Sequence, residues 1–251
     1  MDYTRFKYGR VFVCGRCRQA IFNEEGVVSE SSGLLNIRKL LPGSAQVRGG
    51  GVLCKNCGGL LGSVRRENGD KTYIIDRGGI ISVLPEIFGK YFKDAIFACG
   101  CFWGVEYQFK KVVGIVYTRV GYCGGTKHNP SYEEVKSGTT GHKEAVHVLY
   151  DPRVTNYERL VRVFFEIHDF TQKDGQGPDI GSQYLSYIFY LNDEQRQIAE
   201  KYIGLLKSKG YDVATRLERA GRFWIAEDYH QDYYGKTGNL PYCHVRRRIF
   251  D

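Results

Sequence analysis

The stretch ACGCFWGVEYQF, residues 98–109, decides how the C-terminal part of the chain is interpreted. The apolar run AIFA (95–98) predicts a strand, and VEYQFKK (105–111) predicts an amphipathic helix. Cys101 therefore lies between a strand and the N-terminus of a helix. Unpaired backbone N–H groups and the helix dipole at such a position stabilise a thiolate and lower the thiol pKa, so Cys101 is a candidate nucleophile. A structural cysteine can occupy the same place, and position alone does not separate the two.

The chain from residue 94 onward alternates predicted strands and helices. This alternation predicts an α+β fold in which an open sheet is covered by helices. Further strands are predicted at 112–122, 144–150, 186–191, 212–217 and 223–227, and further helices at 156–169 and 193–210.

The composition is that of an ordinary globular protein. Hydrophobic residues make up 42% and charged residues 25% of 251 residues, enough for one or two domains with a real core. We expect no membrane partner and a cytoplasmic protein, because no run of about 18 apolar residues occurs and MDYTRFKYGR (1–10) lacks the apolar core of a secretory signal. In that compartment the eight cysteines are better explained as metal ligands or redox groups than as structural disulfides.

Charge and cysteine spacing both divide the chain. Residues 1–93 contain 15 Lys and Arg against 8 Asp and Glu, whereas residues 94–251 contain 21 against 20. Four cysteines form two close pairs before residue 60, and the other four are spread over the remainder. The sequence therefore predicts two domains, 1–93 and 94–251, joined near residues 90–94.

The first domain carries two Cys-x-x-Cys pairs, Cys14 with Cys17 and Cys54 with Cys57. Each pair follows a short β-rich run with glycine nearby, and four thiolates satisfy a tetrahedral structural zinc with no open position. Because 36 residues separate Cys17 from Cys54, we expect a small sheet between the pairs. The alternative is a pair of reduced or disulfide-linked dithiols.

The segments GVLCKNCGGLLGSV (51–64) and KTYIIDRGGIISV (71–83) resemble the zinc-bearing core of type B methionine sulfoxide reductases and, more loosely, Yippee-like β-tent modules. The resemblance implies a small all-β zinc-binding domain. Where the type B enzymes carry their nucleophilic cysteine, this sequence has Ile74 within Tyr73–Asp76. We therefore expect this module to be noncatalytic and to serve structural support or partner binding.

Several motifs of the second domain occur in the order of the type A peptide methionine sulfoxide reductases, which this region resembles over about 150 residues. The resemblance implies a two-layer α/β sandwich that reduces the S-epimer of methionine sulfoxide, free or in oxidised proteins. It implies no organic cofactor and an external dithiol, thioredoxin, as the reductant. The motifs are GCFWGVE (100–106), GYCGG (121–125), NPSYEEVKSGTTGHKEAV (129–146), GPDIGSQYLSYIF (177–189) and AEDYHQDY (226–233).

The residues themselves suit this chemistry. Sulfoxide reduction needs a thiolate that attacks sulfur and an acid that protonates the oxygen. Cys101 is the candidate nucleophile, and the apolar faces of Phe102 and Trp103 would bind the methyl group and sulfur of the substrate. Glu144 precedes an apolar strand and matches the family's acid; burial would raise its pKa so that it holds a proton near neutral pH.

Further roles follow from the resemblance alone. Tyr132 and Tyr184 match the tyrosines that hold the sulfoxide oxygen, and Asp179 matches the pocket carboxylate that works through water. Tyr233 is a further candidate for substrate contact. Glu106 is interpreted as a first-turn acid favoured by the helix dipole.

Recycling needs a second thiol, since attack leaves a sulfenic acid on Cys101. Cys243 matches the family's recycling cysteine, and KTGNLPYCHV (236–245) contains Gly and Pro, so we expect it to swing toward the pocket. Thioredoxin would then reopen the disulfide by exchange. Cys99 and Cys123 are interpreted as small packing residues, and a redox role for either stays open.

Two other functions remain to be separated from this one. The basic first domain is an alternative centre of function that binds nucleic acid or a protein, with the second domain as an accessory. We expect no nucleic-acid partner, because the module lacks a basic helix with interleaved aromatic residues. A thioredoxin-like dithiol enzyme is disfavoured because no Cys-x-x-Cys opens a helix after residue 94.

Overall fold

The chain divides into two compact units. The first comprises residues 1–93 with 112–117 and 149–155, and the second comprises 94–111, 118–148 and 156–251. The computed structural model describes residues 11–14, 20–31, 34–37, 39–49, 51–67, 70–76, 80–83 and 88–250.

The first unit up to Tyr91 is mostly β-structure, as predicted, and ends in one short helix, α1 (Phe88–Tyr91). Its strands are β1 (Val11–Cys14), β2 (Ala20–Asn23), β3 (Val27–Ser31), β4 (Leu34–Ile37), β5 (Ala45–Arg48), β6 (Gly51–Cys54), β7 (Leu60–Glu67), β8 (Asp70–Asp76) and β9 (Ile80–Val83). They form an antiparallel three-stranded sheet in the order β2-β1-β9 and a six-stranded sheet in the order β3-β4-β8-β7-β6-β5.

Alternation of side chains builds the core of this unit. Leu35 and Ile37 on β4 are fully buried, as are Val52 and Cys54 on β6, while the residues between them are partly exposed. Gly62 lies where β7 approaches its antiparallel neighbour β8 closely. A Cβ at this position would stand 1.9 Å from a backbone oxygen of β8, so a larger residue would separate the two strands.

The second unit contains a six-stranded sheet in which the predicted strands are found, four of them shorter than expected. Its strands are β10 (Lys93–Ala98), β11 (Ile115–Cys123), β12 (Lys143–Tyr150), β15 (Tyr187–Tyr190), β16 (Arg216–Arg219) and β17 (Trp224–Ile225), with a separate hairpin of β13 (Gly175–Gln176) and β14 (Asp179–Ile180). The sheet order is β16-β15-β10-β12-β11-β17, with β15 and β16 parallel. The predicted strand at 212–217 begins only at Arg216, because Ala214 N donates to the carbonyl of Phe170.

Helices cover this sheet, which confirms the predicted mixed α and β class. They are α2 (Phe102–Lys110), α3 (Tyr132–Lys136), α4 (Tyr157–Glu166), α5 (Asp193–Ser208) and α6 (Tyr233–Thr237). Side chains of Ser131, Asn156 and Asn192 cap α3, α4 and α5 by accepting backbone N–H bonds, whereas the N-cap of α2 is Cys101, which makes no such bond. Within the described ranges no helix is long and apolar enough to cross a membrane.

Candidate active site

Cys101 lies where the sequence predicts it, between the end of β10 and the first turn of α2. The chain turns at Gly100, whose φ of +100° is open to glycine and costly for other residues. A Cβ at Gly100 would also come within 2.7 Å of the Gln176 side chain. The Cys101 side chain is 8% exposed. The thiol therefore has little contact with solvent.

The pKa of the Cys101 thiol is raised, chiefly by burial and next by the charge of Glu144. The backbone N–H groups of Trp103 and Gly104 act in the opposite direction, which is the helix effect expected from the sequence. That effect is present but outweighed, so the expectation of a lowered pKa is wrong for this site. The contribution of Glu144 disappears when its carboxyl group is protonated.

Glu144 stands near the start of β12, the neighbour of β10 in the sheet, and is 3% exposed. Its Oε2 accepts the N–H of Phe102 at 3.1 Å, so a carboxyl group from strand β12 caps the first turn of helix α2. Burial raises the pKa of Glu144 to about 8, against the opposing effect of that N–H. Glu144 is therefore mostly protonated at neutral pH, which confirms the expectation of a raised pKa.

Aromatic side chains line one side of the first turn of α2. Phe102 is buried, with its ring 6.1 Å from Tyr122, and has the environment of a core residue. Trp103 is half-buried and stacks on Tyr233 with a centroid distance of 3.8 Å and an interplanar angle of 5°. Its Nε1 donates to Nδ1 of His230 at 3.1 Å. Trp103 and Tyr233 therefore present a fixed aromatic wall.

Tyr132 is the first residue of α3, and Tyr184 ends a 3₁₀ turn at Ser182–Tyr184. Burial first, and then the charge of Glu144, raises the pKa of both hydroxyl groups, that of Tyr184 to about 12. Both tyrosines thus lie in the electrostatic field of Glu144 and stay protonated at neutral pH. They are available as hydrogen-bond donors.

Asp179 on β14 connects this group to the C-terminal segment. Its Oδ2 accepts from the Tyr242 hydroxyl at 3.2 Å. Its charge contributes to the raised pKa of both Glu144 and Cys243. Asp179 therefore acts on the candidate acid and on the candidate recycling thiol together.

Cys243 packs against the first turn of α2. A Cβ at Gly104 would stand 3.0 Å from Cys243 Sγ, so a larger residue there would displace the sulfur. Burial, followed by the charge of Asp179, raises the pKa of Cys243 to about 12. The expected swing of residues 236–245 stays a prediction, and the chain just after them is tied down where Arg246 Nε donates to Glu166 Oε2 at 2.8 Å.

Residues 93–250 match the family model described as peptide methionine sulfoxide reductase. The chain belongs to this family. It is 50% identical over 161 residues to the peptide methionine sulfoxide reductase MsrA of Methanothermobacter thermautotrophicus, covering 63% of this chain and 95% of the relative. It is 47% identical over 177 residues to the MsrA of Methanosarcina mazei, covering 68% of this chain and 84% of the relative.

The fold agrees with that of a solved relative. The reduced form of Mxr1 from Saccharomyces cerevisiae superposes with a TM-score of 0.59 at 35% identity, covering 63% of this chain and 93% of that one. The predictions of a type A family member, an oxidoreductase, and of the fold class are thereby confirmed. The family match begins at residue 93, so it leaves the zinc-module hypothesis untested.

Two further cysteines of this family member are buried thiols. Cys99 and Cys123 are fully buried and unpaired, and burial is the main cause of the raised pKa of each. Their environment agrees with the interpretation as packing residues. A redox role for Cys99 or Cys123 is tested by the alanine variants described in the Discussion.

Two histidines of the site were missed in the sequence. His230 holds the Trp103 indole, and His244 contacts Cys243, with Nδ1 2.9 Å from its Sγ. The signal for His244 was its position directly after Cys243, the candidate recycling cysteine. The role of a single histidine next to a cysteine cannot be read from the sequence, because it depends on which groups the ring contacts in the folded protein.

The N-terminal cysteines are only partly described. Cys54 is buried at the end of β6 and Cys57 is exposed in the turn that follows. Cys54 N donates to Gly59 O, and Gly58 N donates to Cys54 O, each at 2.9 Å. Cys17 and the side chain of Cys14 lie outside the described residues, and in the described part no group of three or more His, Cys, Asp or Glu side chains could hold a metal.

Proposed function

We propose that this chain reduces the S-epimer of methionine sulfoxide, free or in oxidised proteins, with electrons from thiols. The observation that carries the proposal is the pairing of a thiol and a buried acid at one helix start. Cys101 is the N-cap of α2, and Glu144, with a pKa of about 8, accepts the first N–H of the same helix.

In the first step Cys101 Sγ attacks the sulfoxide sulfur, the sulfur–oxygen bond breaks, and methionine leaves. The oxygen stays on Cys101 as a sulfenic acid. Glu144 protonates the oxygen, and the proton lost by Cys101 restores the acid. Since Glu144 is protonated at neutral pH, it can donate where an ordinary glutamate would not.

The other site residues hold the substrate. The hydroxyl groups of Tyr132 and Tyr184 donate to the sulfoxide oxygen, and Asp179 orders water beside it. Trp103 and Tyr233 bind the methyl group and sulfur of the substrate on the outer surface of their stack, supported by the 3.8 Å centroid distance that fixes both rings. Phe102 supports this wall from the core.

In the second step Cys243 attacks the sulfenic acid to form a Cys101–Cys243 disulfide, which thioredoxin reopens by exchange. Cys243 is partly exposed, and its neighbours Tyr242 and Val245 are 64% and 72% exposed, so a partner protein can reach this segment. Repair of oxidised proteins and a cytoplasmic location stay predictions.

The reaction is tested with the two epimers of dabsylated methionine sulfoxide and dithiothreitol as the reductant. We expect the S-epimer to be consumed and the R-epimer to persist, since Ile74 stands where a type B nucleophile would be. Reduction of the R-epimer, or of neither epimer by a folded chain, would contradict the proposal.

We also propose that Cys14, Cys17, Cys54 and Cys57 bind one structural zinc. Support comes from the tight turn after β6, where hydrogen bonds between Cys54 and the following glycines fix the backbone between the second pair. Zinc would stabilise the β-rich unit and take no part in the reaction.

Metal analysis of the full chain should find one zinc per chain, lost in Cys54→Ser and kept in the control Cys123→Ala. Chelation should lower the melting temperature of the wild-type chain. The site would be refuted if the purified chain contained no zinc and chelation left its melting temperature unchanged.

A further inference from the structure

His244 is held between the two cysteines that flank the site. Its Nε2 lies 2.6 Å from the carbonyl oxygen of Cys99, and its Nδ1 lies 2.9 Å from Cys243 Sγ. The side chain is buried, with 6% of the residue exposed. Both ring nitrogens are therefore committed to partners inside the protein.

These contacts determine which nitrogen carries the proton. A carbonyl oxygen only accepts, so Nε2 of His244 must be the donor toward Cys99. In the neutral ring Nδ1 then has a lone pair, and it accepts the hydrogen bond of the Cys243 thiol. Burial lowers the pKa of His244, which keeps the ring neutral at physiological pH.

The backbone is also adapted to this contact. His244 has a φ of +65°, a left-handed conformation that non-glycine residues rarely adopt. Gly104 leaves room for the ring: a Cβ there would stand 2.5 Å from His244 Nδ1, and 3.0 Å from Cys243 Sγ. The side-chain amide of Gln108 donates to the His244 carbonyl, which ties this residue to α2.

We propose that His244 is the general base of the resolving step, with Nδ1 taking the thiol proton as Cys243 Sγ attacks the sulfenic sulfur of Cys101. The proposal rests on the proposed function, since it needs the Cys101 sulfenic acid as substrate. A thiol with a pKa of about 12 supplies little thiolate at neutral pH, so an adjacent base has a large effect.

The step balances with the groups named. The electron pair of Cys243 Sγ forms the sulfur–sulfur bond, and the sulfur–oxygen bond of Cys101 breaks. The oxygen leaves as water with the proton that Cys243 lost, so His244 returns to its neutral form. Cys243 is oxidised and the sulfenic sulfur of Cys101 is reduced.

The pH dependence of this step follows from the groups around His244. They are Cys243 on its own segment, Cys99 before α2, His168 after α4, and Asp179 on β14. Because the ring is neutral above its lowered pKa, we expect the wild-type resolving rate to be flat through neutral pH. In a chain without His244, the Cys243 thiol must lose its proton to solvent. The rate of the resolving step should then rise about tenfold per pH unit below the pKa of that thiol.

His244→Asn tests the proposal in the full chain, because Asn tolerates positive φ and can accept a hydrogen bond near the Nδ1 position without being basic. Each protein receives one equivalent of methionine S-sulfoxide without reductant. Methionine release, sulfenic acid trapped by dimedone, and the Cys101–Cys243 disulfide are followed by mass spectrometry. We expect unchanged methionine release, accumulated sulfenic acid, and disulfide formation slowed by about 10²-fold or more, with the steep pH profile.

Gly104→Ala provides a second test that keeps the histidine but displaces Nδ1 and Sγ. It should also slow disulfide formation, and by a larger factor than any slowing of methionine release. Wild-type disulfide rates and a flat pH profile in either variant would overturn the role of His244, as would equal slowing of both steps. A wild-type chain that releases no methionine would instead refute the proposed function, and release without this disulfide would refute Cys243 as the resolving thiol.

Discussion

The two units of the chain use cysteine in different ways. In the first unit Cys54 and Cys57 lie on one turn, close in sequence and held by local backbone hydrogen bonds. In the second unit Cys101 and Cys243 are far apart in sequence, and the fold brings Cys243 to the first turn of the helix that Cys101 begins. A local pair suits a fixed metal geometry, whereas a pair assembled by the fold can react, separate and be reached by a partner.

Burial sharpens this comparison. Cys101 is buried beside a carboxyl group that holds a proton near neutral pH, and the half-buried Cys243 lies beside a histidine. Each thiol therefore has an acid–base partner that matches its step. Cys57, by contrast, is exposed in its turn.

The largest effect is expected for Cys101→Ser. A serine hydroxyl has a far higher pKa than a thiol and forms no disulfide, so S-epimer reduction should fall to background with dithiothreitol and with thioredoxin. Cys123→Ala, which changes another buried cysteine of the same unit, should keep near-wild-type turnover. Measurable turnover by Cys101→Ser would move the nucleophile elsewhere.

Cys243→Ser should separate the two steps. One methionine per chain should still be released, but steady-state turnover with thioredoxin should be lost because the sulfenic acid has no resolving thiol. The matched variant Cys99→Ala should retain thioredoxin-dependent turnover. If the opposite pattern is measured, Cys99 is the resolving thiol.

Glu144→Gln should slow the sulfoxide step by about 10² to 10⁴, the usual range for loss of a general acid. Because the acid form is required and its pKa is about 8, the wild-type single-turnover rate should be constant below pH 8 and fall above it. Glu106→Gln serves as the control, since Glu106 is equally buried but bonds Thr118 and the N–H of Asp232. Wild-type methionine release by Glu144→Gln would exclude Glu144 as the acid.

Tyr233→Ala should have the smallest effect. Loss of the stack on Trp103 removes about 1 kcal/mol of aromatic contact, which corresponds to about a fivefold rise in KM with kcat little changed. Tyr233→Phe keeps the ring and should behave as wild type. An unchanged KM in Tyr233→Ala would remove this residue from the substrate wall.

The sequence predicted those features that depend on local pattern. Strand and helix periodicity predicts the main elements and puts Cys101 at a helix start, as the structure has it. The raised pKa of Glu144 also followed from its position before an apolar strand.

The predictions that were wrong or missing concern features that depend on contacts between distant segments. The direction of the Cys101 pKa shift is set by burial and by Glu144, which no local pattern around Cys101 contains. The strand predicted from residue 212 is shortened by the bond from Ala214 to Phe170. His244 acquires its meaning only from the Cys99 carbonyl, which lies far away in sequence.

The central claim is that the reactive pair of thiols is assembled by the fold of the second unit. It is tested most directly by treating the reduced full chain with one equivalent of methionine S-sulfoxide and mapping its disulfides by mass spectrometry without reduction. The account predicts one new disulfide, Cys101–Cys243, with Cys54 and Cys57 unoxidised. A disulfide that leaves Cys101 or Cys243 reduced, or one formed between Cys54 and Cys57, would contradict it.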